Sequence, residues 1–135
     1  MTDRRGARAT TGAVLWLLLA ITVATQLVVL YAPSAPSVSP FCNSDKAVHV
    51  VVFLVPVLLA LLAGLRPRVV VAVFAAHAVA SELVQHALLP GRSGDPLDVV
   101  ADLAGVGLGV LVWWLLVGRT GRGARGVVGR MPRRW

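Results

Sequence analysis

The sequence predicts an all-α, polytopic membrane protein: a bundle of four transmembrane helices with both termini cytoplasmic. Three observations lead there. Four apolar blocks, residues 13–31, 47–65, 69–89 and 97–117, follow one another along a chain of 135 residues. Each block approaches the ~20 residues that cross a hydrocarbon core at ~1.5 Å per residue. Charged residues make up 14% of the chain, against about a quarter in a soluble domain, and the blocks hold almost none of them. Finally, 11 of the 13 basic residues fall at three places between or beyond the blocks: Arg4, Arg5 and Arg8; Arg66 and Arg68; and the six arginines from Arg119 to Arg134. With four spans these places share one side, which the positive-inside rule assigns to the cytoplasm. Backbone groups in lipid must be bonded within their own segment, so the blocks are helices.

The chain divides accordingly into a basic cytoplasmic leader (1–12), a membrane domain (13–117) and an Arg/Gly-rich cytoplasmic tail (118–135) expected to be disordered. A sequence pI near 11.5 beside a mean hydropathy of +0.79 invites a nucleic-acid reading. The placement of the arginines explains them instead as topology signals and leaflet anchors, at ~1 kcal/mol each near anionic lipid. The expected partner is therefore the bilayer, not nucleic acid. Cys42 is the only cysteine, which excludes an intramolecular disulfide and any cysteine-built metal or redox motif.

The first block, Ala13 to Tyr31, is longer than the 7–15 residue core of a signal peptide and reads as a retained helix. Trp16 and Tyr31 mark its two interfaces, and Thr22, Thr25 and Gln26 form a mildly polar stripe suited to helix packing. Pro33, Pro36 and Pro40 then keep residues 32–44 extended. Ser44 or Asp45 caps the second helix, and Asp45 and His49, four apart, share a face of it. Pro56 predicts a kink that neighbouring helices accommodate, and Arg66-Pro67-Arg68 turns the chain.

The third helix carries His77 near its middle, read as a packed histidine bonded to a neighbouring helix. Glu82, Gln85 and His86 follow on one face of its last turns. After a Gly/Pro-rich turn, Asp95-Pro96 has the form of an N-cap followed by proline at the first helical position. Asp98 and Asp102 lie one turn apart on the fourth helix, and Ala101, Gly105 and Gly109 make a small-residue ridge for close approach. Trp113 and Trp114 lie near its cytoplasmic end.

This up-and-down order brings Asp45, Lys46, His49, Glu82, Gln85, His86, Arg92, Asp95, Asp98 and Asp102 to the extracytoplasmic end. A charge at the bilayer centre costs ~2.5–3.5 kcal/mol and less toward the interface. Such residues pair or line a wet cavity, so a single polar pocket open to the outside is expected.

The order and spacing of these residues resemble the VanZ-like family of small bacterial membrane proteins. The motifs are Asp45-Lys46-Ala47-Val48-His49, Glu82-Leu83-Val84-Gln85, Pro90-Gly91-Arg92 and Asp98 through Gly105, and the likeness spans residues 45–109. One position departs: Asp102 stands where the family pattern has asparagine. The resemblance implies a multi-pass protein of the bacterial cytoplasmic membrane, linked to resistance to the glycopeptide teicoplanin.

Three functions stay open on the residues. The first is action on an outer-leaflet lipid or lipid-linked envelope substrate. Its candidate pocket is Asp45, His49, Glu82, Gln85, Asp98 and Asp102, with His49 and Glu82 as acid–base pair. Lys46 and Arg92 bind a phosphate-bearing headgroup, and Asp98 and Asp102 orient the others or hold a divalent cation. Asp45 is the carboxylate expected to orient His49. The second is a non-enzymatic protein that masks an envelope lipid or glycopeptide. The third is a small transporter or proton relay, for which no inverted repeat is visible.

Overall fold

A computed structural model describes residues 3–32, 44–88 and 95–128. Four helices occupy these stretches: α1 (Asp3–Tyr31), α2 (Ser44–Leu62), α3 (Pro67–Leu88) and α4 (Pro96–Val128), with no strand among the described residues. Each holds a segment long and apolar enough to cross a membrane: Ala9–Tyr31, Asp45–Leu62, Pro67–Leu88 and Pro96–Gly118. The protein is an all-α multi-pass membrane bundle. Cys42 and Arg92, together with the Pro/Ser-rich and Pro-Gly-Arg loops, lie outside the described residues.

The end helices are longer than their apolar blocks. α1 begins within the basic leader, and α4 runs to Val128 through the first part of the tail. Adding a residue to an existing helix needs no new nucleus, and no proline intervenes before Pro132.

The turn between α2 and α3 is fixed by backbone chemistry. The Leu65 amide donates to the Ala60 carbonyl and the Gly64 amide to the Leu61 carbonyl, both at 3.1 Å. This is the Schellman pattern, and Gly64 supplies the left-handed residue it requires, with φ of 91°. Pro67 then occupies the first position of α3, where its missing N–H costs nothing.

α2 is the axis of the bundle, packing most extensively on α4 and also meeting α1 and α3. The α2–α4 seam is narrow because Gly105 and Gly109 face α2. A Cβ built on Gly109 would lie 2.8 Å from Val57 Cγ1, and one on Gly105 would strike the Val50 carbonyl. Phe53, Val57, Ala60, Leu30 and Ala78 fill the interior, and Phe53 meets Phe74 edge-on at 6.4 Å. Pro56 is buried within α2, and the helix continues through it. Leu17, Val28, Val51, Leu83 and Leu116 point outward and are exposed, as lipid-facing residues should be. Lipid tails are as apolar as leucine, so close packing and polar pairing hold such helices together. The expected ridge of Ala101, Gly105 and Gly109 supplies the first, and the polar end supplies the second.

Candidate functional site at the polar end of the bundle

The ends of α1 and α3 and the starts of α2 and α4 meet at one end of the bundle. Asp95 begins the assembly there. Its Oδ1 accepts from the Leu97 amide at 2.9 Å, the N-cap bond that its position before Pro96 predicts. Its Oδ2 accepts from Lys46 Nζ at 2.7 Å, and the same ammonium donates to Asp98 Oδ1 at 3.1 Å. One carboxylate thus caps α4 and ties it to α2.

One turn deeper, His49 Nδ1 lies 2.9 Å from Asp102 Oδ1. The pair is enclosed, with side-chain exposures of 5% and 2%. With Asp102 ionised its oxygen only accepts, so Nδ1 carries the proton and donates. The lone pair of neutral His49 is then on Nε2, which lies 4.0 Å from Asp98 Oδ2. The two oxygens of Asp98 therefore face different partners, Lys46 and His49. The repeat is simple: Lys46 and His49 on one face of α2 meet Asp98 and Asp102 on one face of α4. Gly105, immediately below Asp102, lets the two backbones come close enough for these short side chains to touch.

Asp45, His49 and Asp98 can each offer one ligand atom, and these atoms lie within 4.8 Å of one another. Glu82 approaches from α3. It is half-buried, one oxygen (Oε1) is sealed from solvent without a hydrogen-bond partner, and it lies within electrostatic reach of Asp98, His49 and Asp102.

Several assignments differ from those the sequence suggests. The carboxylate holding His49 is Asp102, not Asp45, which is exposed at the rim. Asp102 faces His49 across the glycine seam, whereas Asp45 lies one turn away along the same helix. His49 and Glu82 are not hydrogen-bonded to each other. Gln85 turns toward α1, its Nε2 donating to the Leu30 carbonyl at 2.8 Å. Lys46 is held by two carboxylates. His86 is exposed on α3.

His77 is indeed packed, its ring centroid 6.1 Å from that of Tyr31 and 5.7 Å from that of Phe53. Its expected bond to a neighbouring helix is absent among the described residues, where Nε2 has no partner. Gln26, read only as part of a packing stripe, is 1% exposed and its Nε2 is also unpartnered. A single Gln in an apolar helix gave a signal for burial but not for its depth. Asp95 was legible as a cap; its second oxygen's use by Lys46 was not, because the partners are 49 residues apart.

Asp95 lies outside the spans, and the Lys46 hydrogen bond, with the Leu97 amide second, holds its carboxyl below the ordinary value of 3.8. A carboxyl depressed in the folded state stabilises the fold above its unfolded pKa, and that stabilisation fades as pH falls through the folded value. The thermal midpoint of the purified protein should therefore fall on acidification below the ordinary aspartate range. Asp95→Asn should lower the midpoint at neutral pH and flatten this acid limb, measurable by circular dichroism in detergent. An acid limb unchanged in Asp95→Asn would assign the loss to other groups.

Comparisons with protein-family models, curated proteins and solved structures give no match for this chain.

Proposed function

We propose that this is a VanZ-like protein of the bacterial cytoplasmic membrane. In this reading its polar pocket opens on the extracytoplasmic side and acts on an outer-leaflet lipid or lipid-linked envelope headgroup. The observation that supports this best is the enclosed His49–Asp102 pair beside a cluster of carboxylates, at the end of an otherwise apolar bundle. Ionisable groups within a membrane default to function. A histidine whose Nδ1–H is held by a carboxylate presents Nε2 as a general base. Lys46 steadies Asp98 beside it, Glu82 is the proton donor on the opposite helix, and an anionic headgroup relies on Arg92. By the resemblance, the outcome is reduced susceptibility to teicoplanin.

The test is teicoplanin susceptibility of a bacterial host expressing the wild type, His49→Gln, Glu82→Gln or Arg92→Lys, with membrane levels and Cys42 maleimide accessibility measured for each. Removing a general base typically costs 100-fold or more, roughly, so His49→Gln should return susceptibility to that of the empty vector at unchanged membrane level. Maleimide reaction from outside intact cells checks the sidedness. A wild type with no phenotype would sink the resistance link. Variants that behave as wild type would favour a second reading, which the Lys46–Asp95–Asp98 ties support: the polar end is a clamp fastening α2 to α4 and has no chemistry of its own.

A further inference from the structure

We propose that Asp45, His49 and Asp98 form a binding site for a single divalent transition cation of the Zn2+ or Mn2+ class. The proposal stands on the geometry of these residues and does not require the lipid reading; an ion on His49 Nε2 takes the lone pair that reading uses as a base, so the two are alternatives at this atom.

Acidic residues gather at many surfaces without binding metal; what distinguishes these donors is how they are held. His49 is 4% exposed, and its ring is fixed through Nδ1 by Asp102. Its other nitrogen has no hydrogen-bond partner among the described residues and is turned toward Asp98 Oδ2 at 4.0 Å. A buried imidazole with one nitrogen tethered to a carboxylate and the other bare is the arrangement that prepares a histidine for metal ligation, because the outer carboxylate fixes tautomer and ring orientation. Asp98 is prepared in the same way. Lys46 holds Oδ1 at 3.1 Å and leaves Oδ2 for the site.

The dimensions fit. Bonds of ~2.1 Å place donors around one cation roughly 3–4 Å apart. His49 Nε2 and Asp98 Oδ2 are already at 4.0 Å, and all three donor atoms lie within 4.8 Å of one another. Asp45 is exposed at the rim, one helical turn above His49. Its carboxylate can rotate to close the site, and it gives the ion a way in from water. The charge also fits. Asp45, Asp95, Asp98 and Asp102 outnumber the one described ammonium among them, Lys46, which bridges Asp95 and Asp98, so the cluster attracts a cation. The solvent-sealed Glu82 Oε1 adds an unsatisfied acceptor on the side of α3. An imidazole among the donors favours Zn2+ over Mg2+ and Ca2+, which prefer all-oxygen sites; Mn2+ tolerates the mixed set and serves as a paramagnetic probe.

The experiment uses the full chain, purified in detergent and stripped with a chelator, titrated with Zn2+ by calorimetry. The expected result is one Zn2+ per chain, with affinity reduced at least 10-fold by His49→Gln or Asp98→Asn. Loss of the outer carboxylate in Asp102→Asn should weaken binding by about 10–100-fold. Cys42→Ser and His86→Gln should leave it unchanged. With Mn2+ as the probe, the wild type should show electron-spin-echo modulation from an imidazole nitrogen, absent in His49→Gln. Asp45→Asn, at an exposed position, should weaken Zn2+ binding with the helical circular dichroism intact, which separates lost ligation from lost folding. No saturable binding, binding that survives both His49→Gln and Asp98→Asn, or binding abolished by Cys42→Ser or His86→Gln would each overturn the site.

Discussion

Gly105→Leu is expected to prevent α4 from seating on α2, and with it the assembly of the polar end. A Cβ at this position would lie 2.9 Å from Phe53 Cβ and would collide with the carbonyl oxygen of Val50. The obstacle is mainly backbone, which cannot swing aside as a side chain can. Overpacking by a methylene or two costs about 1–3 kcal/mol in a well-packed core, so Gly105→Ala should lower stability by that order. Leucine is larger than the seam can admit by any local adjustment and should leave no folded bundle. Gly107 is the internal control. It lies two residues further along α4, with nothing within 4 Å of an added Cβ, and alanine is the better helix former by up to about 1 kcal/mol. Thermal denaturation in detergent, followed by circular dichroism and size-exclusion profile, should rank Gly107→Ala at or above wild type, Gly105→Ala below it, and Gly105→Leu unfolded. A Gly105→Leu protein that melts like the wild type would mean that the two helices are not in contact along this ridge.

The same ridge shows what was legible in the sequence. Four long apolar blocks announced the helices, because only a helix satisfies its backbone alone in lipid. Residues four apart announced shared faces: Ala101, Gly105 and Gly109 for packing, Asp98 and Asp102 for the site. The caps were equally readable, since Asp95-Pro96 and Gly64 carry backbone requirements that few other residues meet. Pairing across helices was not readable. Periodicity places Asp45 and Asp102 equally near His49 in kind, and only the rotation of α4 about its axis decides that Asp102 is the one that reaches Nδ1. The same holds for Gln85, whose face suggested the pocket but whose amide spans to Leu30 of α1. The end of the bundle at which the polar groups gather followed from chain order, because alternating helices bring the starts of α2 and α4 together. Which partner each group takes depended on a seam width set by two glycines, a property of the packed pair rather than of either helix.

Asp102→Ala should destabilise the bundle strongly, whereas Asp102→Asn should be tolerated. In the wild type the His49 Nδ1–H is buried and its acceptor is Asp102 Oδ1 at 2.9 Å. Alanine removes that acceptor and opens a gap beside an imidazole that water reaches poorly, so a buried donor is left unsatisfied. Removing one member of a buried pair costs about 3–5 kcal/mol when the survivor keeps its charge, and about 1–3 kcal/mol when it is a neutral donor. The loss in Asp102→Ala should fall across that range. Asparagine keeps an oxygen where Oδ1 now lies and continues to accept from Nδ1, through a neutral bond roughly half as strong as the charge-assisted one. It is also the residue that the VanZ-like pattern places here. Equilibrium unfolding in detergent would measure the ranking, wild type first, Asp102→Asn slightly below, Asp102→Ala far below. Nitrogen chemical shifts of labelled histidine would test the cause. The proton should remain on Nδ1 in the wild type and in Asp102→Asn, and distribute between both nitrogens in Asp102→Ala. If Ala and Asn variants are equally stable and share one tautomer, then Asp102 does not hold His49. The reading of His49 as a base or ligand presented through Nε2 would then lose its foundation, because an imidazole free to exchange tautomers presents a lone pair on that nitrogen only part of the time.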